Sequence, residues 1–346
     1  MKGRNGLFVI TAVISVIALL SVPAFAENGS DGDAEFKSYY DQLDINGKAI
    51  YDAISAADAD TRELTLVLPI PLVALDNAEG EEFLKEKVDE LCNRTYLALR
   101  FGNPMAYWLW GSTTPHGLYV PVEKDNVLIV EKIDFDVNTL DTNYADGLQE
   151  KIDALKKAVD DFESDSTDAR GKVSDINKYL TGLVTYDPDP NDKDKKSYFD
   201  HEAYGALADE RHYAVCDGYA KAFQLLADKL GITSIQVYGG ALPSMVDHAW
   251  NYVLMDDGKW YAIDVTWNDT KDDAYFLLGA ETFLTDHQQG SSITAGTSWD
   301  FDYPPLSSGK YDSDPPSYES YGIALVVAMG AVIAIALFYA ARKGNL

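Results

Sequence analysis

The chain has 346 residues, with 28 Lys and Arg against 56 Asp and Glu, for a formal net charge of -28. A polyanion of this kind lacks the clustered basic residues that release counterions from phosphates, so nucleic acid is excluded as a partner. Hydrophobic residues at 47% suffice for one or two buried cores, and two cysteines, Cys92 and Cys216, exclude a disulfide-stapled scaffold or an all-cysteine zinc site.

In chain order, Lys2 and Arg4 precede an uncharged stretch from Leu7 to Val22, and Ala24-Phe25-Ala26 follows Pro23. This is the order of a secretory signal peptide, with cleavage expected after Ala26; the competing reading is an uncleaved anchor, for which the stretch is short. Residues 27–165 read as a mixed, mainly helical N-terminal domain. Leu84, Val88, Leu91, Thr95 and Leu99 form the stripe of an amphipathic helix, and Leu148, Ile152, Leu155, Val159 and Phe162 repeat it. Cys92 lies beside Leu91 on the first stripe, where a buried, inert thiol is expected. Leu64 to Leu68 and Val127 to Val130 have strand composition. No catalytic motif occurs before residue 165, and Tyr107-Trp108-Leu109-Trp110 reads as core. The acidic run from Asp187 to Asp192 begins like a calcium loop but lacks the glycine at position six and the glutamate at position twelve, so a solvated turn is expected.

Residues 166–302 carry the chemistry. Cys216-Asp217-Gly218 precedes Tyr219, Ala222, Phe223, Leu226 and Leu230, apolar at helical spacing, with Gly231 as the stop signal. The thiol is therefore expected at a helix N-terminus, where free backbone N–H groups and the macrodipole stabilise a thiolate; Gly218 would leave room for substrate. Packing is the alternative role for this cysteine. Val246 to Met255 and Lys259 to Trp267 read as two strands joined by Asp256-Asp257-Gly258. A three-residue loop with Gly258 left-handed pairs Met255 with Lys259 and places His248 opposite Thr266. Asp264 is then a same-face diagonal neighbour of His248, about 7 Å away. Cys216, His248 and Asp264 thus supply a nucleophile, a base and a carboxylate to orient the base. His201 and His212 are rival bases. A zinc site lacks recurrent ligand spacing, and no metal or cofactor is implied. A Cys92–Cys216 disulfide is a further rival in an exported protein.

Tyr204-Gly205-Ala206-Leu207, Ala214-Val215-Cys216-Asp217-Gly218-Tyr219-Ala220, His248-Ala249-Trp250-Asn251 and the run from Trp260 to Trp267 resemble the transglutaminase-like superfamily, as do the segments around Lys172, Tyr186, Tyr275 and His287. The resemblance implies an α+β, papain-like transglutaminase core, a Cys-bearing helix on an antiparallel sheet, with Cys216, His248 and Asp264 as the triad. It leaves open whether the acyl group passes to an amine or to water. Gly218, Tyr219, Trp250 and Asn251 are substrate-pocket candidates, and Trp267 is a candidate wall or core residue. Protein or peptide substrates at the cell surface are the expected partners. A non-catalytic adhesion or envelope-scaffold module on the same fold is the alternative.

Tyr303 to Tyr321, rich in Pro, Ser, Asp and Tyr, reads as an extended stalk. Gly322 to Ala341 is uncharged and long enough to span a membrane as a helix, and Arg342 and Lys343 follow it. These charges place the tail 342–346 in the cytoplasm and everything before Gly322 outside.

Overall fold

A computed structural model describes residues 37–57, 61, 63–109, 117–136, 147–187, 199–290 and 301–312. The expected signal peptide and the expected span at 322–341 lie outside the described residues. Among the described residues, no helix is long and apolar enough to cross a membrane.

Two of the three N-terminal helices begin where a short polar side chain accepts a free backbone N–H. Asp44 accepts from Gly47 N at the start of α1 (Ile45–Ser55), and Asn77 accepts from Gly80 N at the start of α2 (Ala78–Gly102). α3 (Leu148–Asp161) instead follows Gly147 in the left-handed region. Each side-chain cap contributes about 1 kcal/mol. The stripe on α2 is buried at Leu84, Val88, Thr95 and Leu99, and that on α3 at Leu148, Ile152 and Leu155. Of the aromatic run at 107–110, residues 107–109 lie in short 3-10 turns over Pro104–Leu109, and Trp110 lies outside the described residues.

Against α1 and α2 lies an antiparallel sheet of β1 (Glu63–Leu75), β2 (Gly117–Leu118), β3 (Val122–Lys124) and β4 (Val127–Asp136), in which β4 pairs with the other three. The expected strand at Leu64 to Leu68 continues to Leu75. Its register shifts between Val67, paired with Lys132, and Leu72, paired with Val130. Pro69 and Pro71 fall inside this break, where their missing N–H groups cost the ladder nothing.

The second half of the chain is built around a helix on a sheet. α4 (Ala169–Leu183), capped by Asp168, leads through β5 (Thr185–Tyr186), α5 (Ala203–Leu207) and β6 (Tyr213–Ala214) to α6 (Cys216–Lys229). α6 ends where predicted, with Gly231 left-handed at φ 72°. It packs on an antiparallel sheet in the order β10-β7-β8-β9, made of β7 (Ser234–Ala241), β8 (Val246–Leu254), β9 (Trp260–Ile263) and β10 (His287–Gln289). The apolar core runs without interruption from Leu84 and Leu155 to Val173, Phe223, Leu226 and Ile263, so it is continuous across residue 165. Each such large side chain contributes about 1.5–3 kcal/mol by leaving water.

Two expectations are corrected. The strand expected to reach Trp267 stops at Ile263, and Val265–Lys271 is helix (α7), because the Asp264 carboxylate accepts the Trp267 N–H at 3.1 Å and caps it. The stalk expected from Tyr303 is not free over its first part. Leu306 bridges Trp260, Ser307 N donates to Trp260 O, and buried Tyr311 donates to Asp256. Its aromatic and aliphatic side chains have apolar surface to cover at the edge of β9, while the prolines between them need no ladder partner. Residues 313–321 lie outside the described residues.

Candidate active site

Three separate local signals bring the site together. Cys216 is the first residue of α6, whose N-cap, Val215, offers no side-chain acceptor. The N–H groups of that first turn are therefore left to act on the thiol or on a ligand. His248 is on β8, paired with Gly239 of β7. Asp264 follows β9. The hairpin has the predicted register: Asn251 pairs with Ile263 and Leu254 with Trp260, Met255 N donates to Lys259 O, and Gly258 has φ 76°. Because the chain turns into α7 after Ile263, Thr266 does not sit opposite His248, yet the Asp264 Oδ2 lies 2.8 Å from His248 Nε2. One carboxylate thus caps a helix with one oxygen and meets the imidazole with the other.

The structure brings all three predicted groups together. The Cys216 thiol is half-buried and near enough to His248 to interact with it electrostatically, while His248 and Asp264 are buried. Since Nε2 faces Asp264, Nδ1 is the ring nitrogen left for sulfur. Burial pushes His248 down, but the Asp264 charge and hydrogen bond, with Cys216, outweigh it and hold the imidazole up at about 10. Burial likewise pushes Asp264 up, and His248 with His287 reverses this to about 2. Both cysteines are free, so the disulfide rival is not formed.

The four pocket candidates offer no open surface to a substrate. Tyr219, Trp250 and Asn251 are each 1% exposed. Tyr219 donates to Asp269, Asn251 donates to Ala220 O, and Trp250 packs edge-on to Phe283. Gly218 does not open the site either. A Cβ there would lie 2.4 Å from Asp200 O, so the missing side chain admits the backbone of residue 200. Trp267 does wall the site, its ring stacked 5.3 Å from that of His248.

The rival bases have other employment. His212 Nδ1 contacts Ala206 O at 2.9 Å. His201 Nδ1 lies 2.8 Å from Asp217 Oδ1, and Arg100 and Tyr238 reach the other oxygen, each at 3.3 Å. Burial pushes Asp217 up, but His201, Lys221 and Arg100 outweigh it and keep the carboxyl well below the usual range. Asp187, expected to open a solvated turn, is fully buried, its N–H on Ala214 O. Burial and the neighbouring Asp187 raise Asp200 to about 7.

His287 was not singled out by spacing. It is 1% exposed, with Nε2 3.2 Å from Asp264 Oδ2 and Nδ1 2.7 Å from Asp286 Oδ1. Apart from the family resemblance around His287, Gly239 is the local signal. A Cβ there would stand 2.1 Å from Gln288 O and 2.3 Å from Trp250, so glycine is what lets β10, and with it His287, close on β7. His248, Asp264 and His287 each offer one potential metal-ligand atom, all within 4.8 Å of one another. The direct carboxylate–imidazole contacts already use those atoms.

Residues 156–265 match the family model of the transglutaminase-like superfamily, which takes in all three residues. No curated protein matches the chain. Among solved structures, one described as a TGase is 16% identical, covering 66% of this chain and 56% of its own, with TM-score 0.28. A protein from Cytophaga hutchinsonii, provisionally assigned as a cysteine protease, is 14% identical over 57% of this chain and 79% of its own, with TM-score 0.28. Another from Parabacteroides distasonis, provisionally a protease, is 11% identical over 43% and 39%, with TM-score 0.22. The chain thus spans little more than half of the first of these structures.

Proposed function

Starting from a transglutaminase-like domain at residues 156–265, we propose that this protein is a cysteine acyltransferase or an amide or peptide hydrolase, acting on protein or peptide substrates. The observation that carries the reading is the placement of a half-buried thiol at a helix start beside an imidazole anchored 2.8 Å from a buried carboxylate. In the first step His248 takes the thiol proton and the Cys216 sulfur attacks an amide carbonyl, forming a C–S bond. The carbonyl oxygen gains negative charge, which the Cys216 N–H at the start of α6 stabilises. The imidazolium then gives its proton to the departing amine as the C–N bond breaks, leaving a thioester. An amine or water attacks that thioester and gives a proton to His248, the C–S bond breaks, and the imidazolium passes that proton to the departing sulfur to restore the thiol. Asp264 holds the ring throughout.

The expected export and the span at 322–341 would place this chemistry on the outer face of a membrane. Protease treatment of intact cells that spared the domain would overturn that placement. The reaction is tested by screening amine incorporation and peptide cleavage with Cys216→Ala as control. The expected result is turnover by the parent lost at least ~10³-fold in the variant. Turnover that survives the substitution overturns the reading. Incorporation without cleavage selects a transferase, and cleavage alone selects a hydrolase.

A further inference from the structure

His287 stands in the site without touching the nucleophile. Its ring is sandwiched among aromatics, stacked on Phe283 at 3.9 Å with Trp267 at 4.4 Å and Trp250 at 4.9 Å, so it can turn little. Both ring nitrogens meet carboxylates: Nε2 meets Asp264 and Nδ1 meets Asp286. The charged and titratable groups around this pair come from several elements. They are His248 on β8, Asp264 before α7, Lys271 over the Trp267 ring, Asp286 on the chain before β10, and Tyr275, which donates to Asp286 at 2.6 Å. The same oxygen, Asp264 Oδ2, therefore serves two imidazoles, at 2.8 Å and 3.2 Å.

A carboxylate oxygen with one donor concentrates its charge on that donor, and with two it divides the charge. An imidazolium bound too firmly by its carboxylate is a reluctant acid, and the proposed reaction needs His248 to return a proton to the leaving amine. We propose that His287 is a positioning residue that pins Asp264 and takes part of its charge, so that His248 is oriented without being over-stabilised in its protonated form. The idea rests on the proposed reaction for its purpose, but its physical content concerns only the coupling of His287, Asp264 and His248.

That coupling can be read without a substrate. Carboxymethylation of Cys216 by iodoacetate, followed by peptide mapping, reports the thiolate–imidazolium pair. The rate falls on the alkaline side as His248 loses its proton. In His287→Leu, Asp264 keeps one imidazole donor, and the alkaline limb should move up by about one pH unit, the size of one redistributed hydrogen bond. His287→Gln, which can still donate to Asp264, should keep the parent limb. His287→Asn, polar but too short to reach Asp264, should behave like the leucine variant and covers the case in which leucine does not fold. A folded Leu or Asn variant whose limb is unmoved, or moves down, overturns the proposal. So does an equal shift in the glutamine variant. If a substrate is found, kcat should fall in His287→Leu with KM unchanged. Turnover that survives Cys216→Ala would instead sink the reaction while leaving the carboxymethylation result to stand.

Discussion

Two cysteines on two helices make a natural contrast. Cys92 sits in the middle of α2, 4% exposed, where the backbone N–H groups of α2 serve the helix itself. Burial pushes its thiol up to about 12, against a smaller opposing hydrogen bond from the Gly117 backbone. Cys216 opens α6, is half-buried, and has the His248 imidazole as its charged neighbour. Burial alone therefore does not set a thiol's character. Its place along the helix and the charge of its neighbour do.

The sharpest way to break the contrast is to remove that neighbour. In His248→Ala, carboxymethylation of Cys216 at neutral pH should slow by ~10²-fold or more, towards the rate of Cys92. Asp264→Asn should slow it too, because the amide keeps the α7 cap but loses the charge that holds the imidazole. Equal, slow labelling of both cysteines in the parent protein would erase the contrast and favour a non-catalytic module.

A second substitution tests the residue beside the thiol. Asp217 is 3% exposed and gathers Arg100, His201 and Tyr238, tying α2 to the start of α6. Asp217→Asn leaves a partly buried guanidinium without its counter-charge, so denaturant unfolding should show a loss of about 3 kcal/mol. A change within error would mean the network does not hold α6 in place.

A pH series sharpens the electrostatic side. His248 is raised from 6.5 to about 10, so its protonated form is favoured by folding. Its contribution to stability is whole below about pH 6.5 and disappears as pH rises through about 10. Asp264 is lowered from 3.8 to about 2, so its contribution is present above 3.8 and fades as pH falls through 2. The stability gap between the parent and His248→Gln should therefore be widest between about pH 4 and 6.5 and close towards pH 10. A gap that stays constant across that interval would refute the coupling.

The sequence exposed the parts of the site that depend on local chemistry. Apolar spacing after Cys216 and Gly231 marked the helix, and Asp256-Asp257-Gly258 set the hairpin register that aligns Asn251 with Ile263. What it hid were events settled by tertiary contact. Val265-Thr266-Trp267 is β-branched and aromatic, and so reads as strand, until the Asp264 side chain caps it into helix. Gly218 reads as open space when seen alone, yet the backbone of residue 200 fills it. His287 lies 23 residues beyond Asp264, and no short-range period could join them. The prolines at 304 and 305 mark a stretch with no regular element, but composition could not show that Tyr311 would bury itself against the core.

The smallest effect concerns the other cysteine. Cys92 packs among Val88, Ile133 and the backbone of Gly117, where a Cβ on Gly117 would come within 2.8 Å of its sulfur. Cys92→Ala removes one buried sulfur and leaves a small void, which should cost about 1 kcal/mol in denaturant unfolding and leave Cys216 labelling untouched. Cys92→Ser is nearly the same size but must bury a hydroxyl, so it should cost more than alanine by about 1 kcal/mol. If serine were instead tolerated better than alanine, the surroundings of Cys92 would have to be wet. The burial that separates this thiol from Cys216 would then not be its governing property.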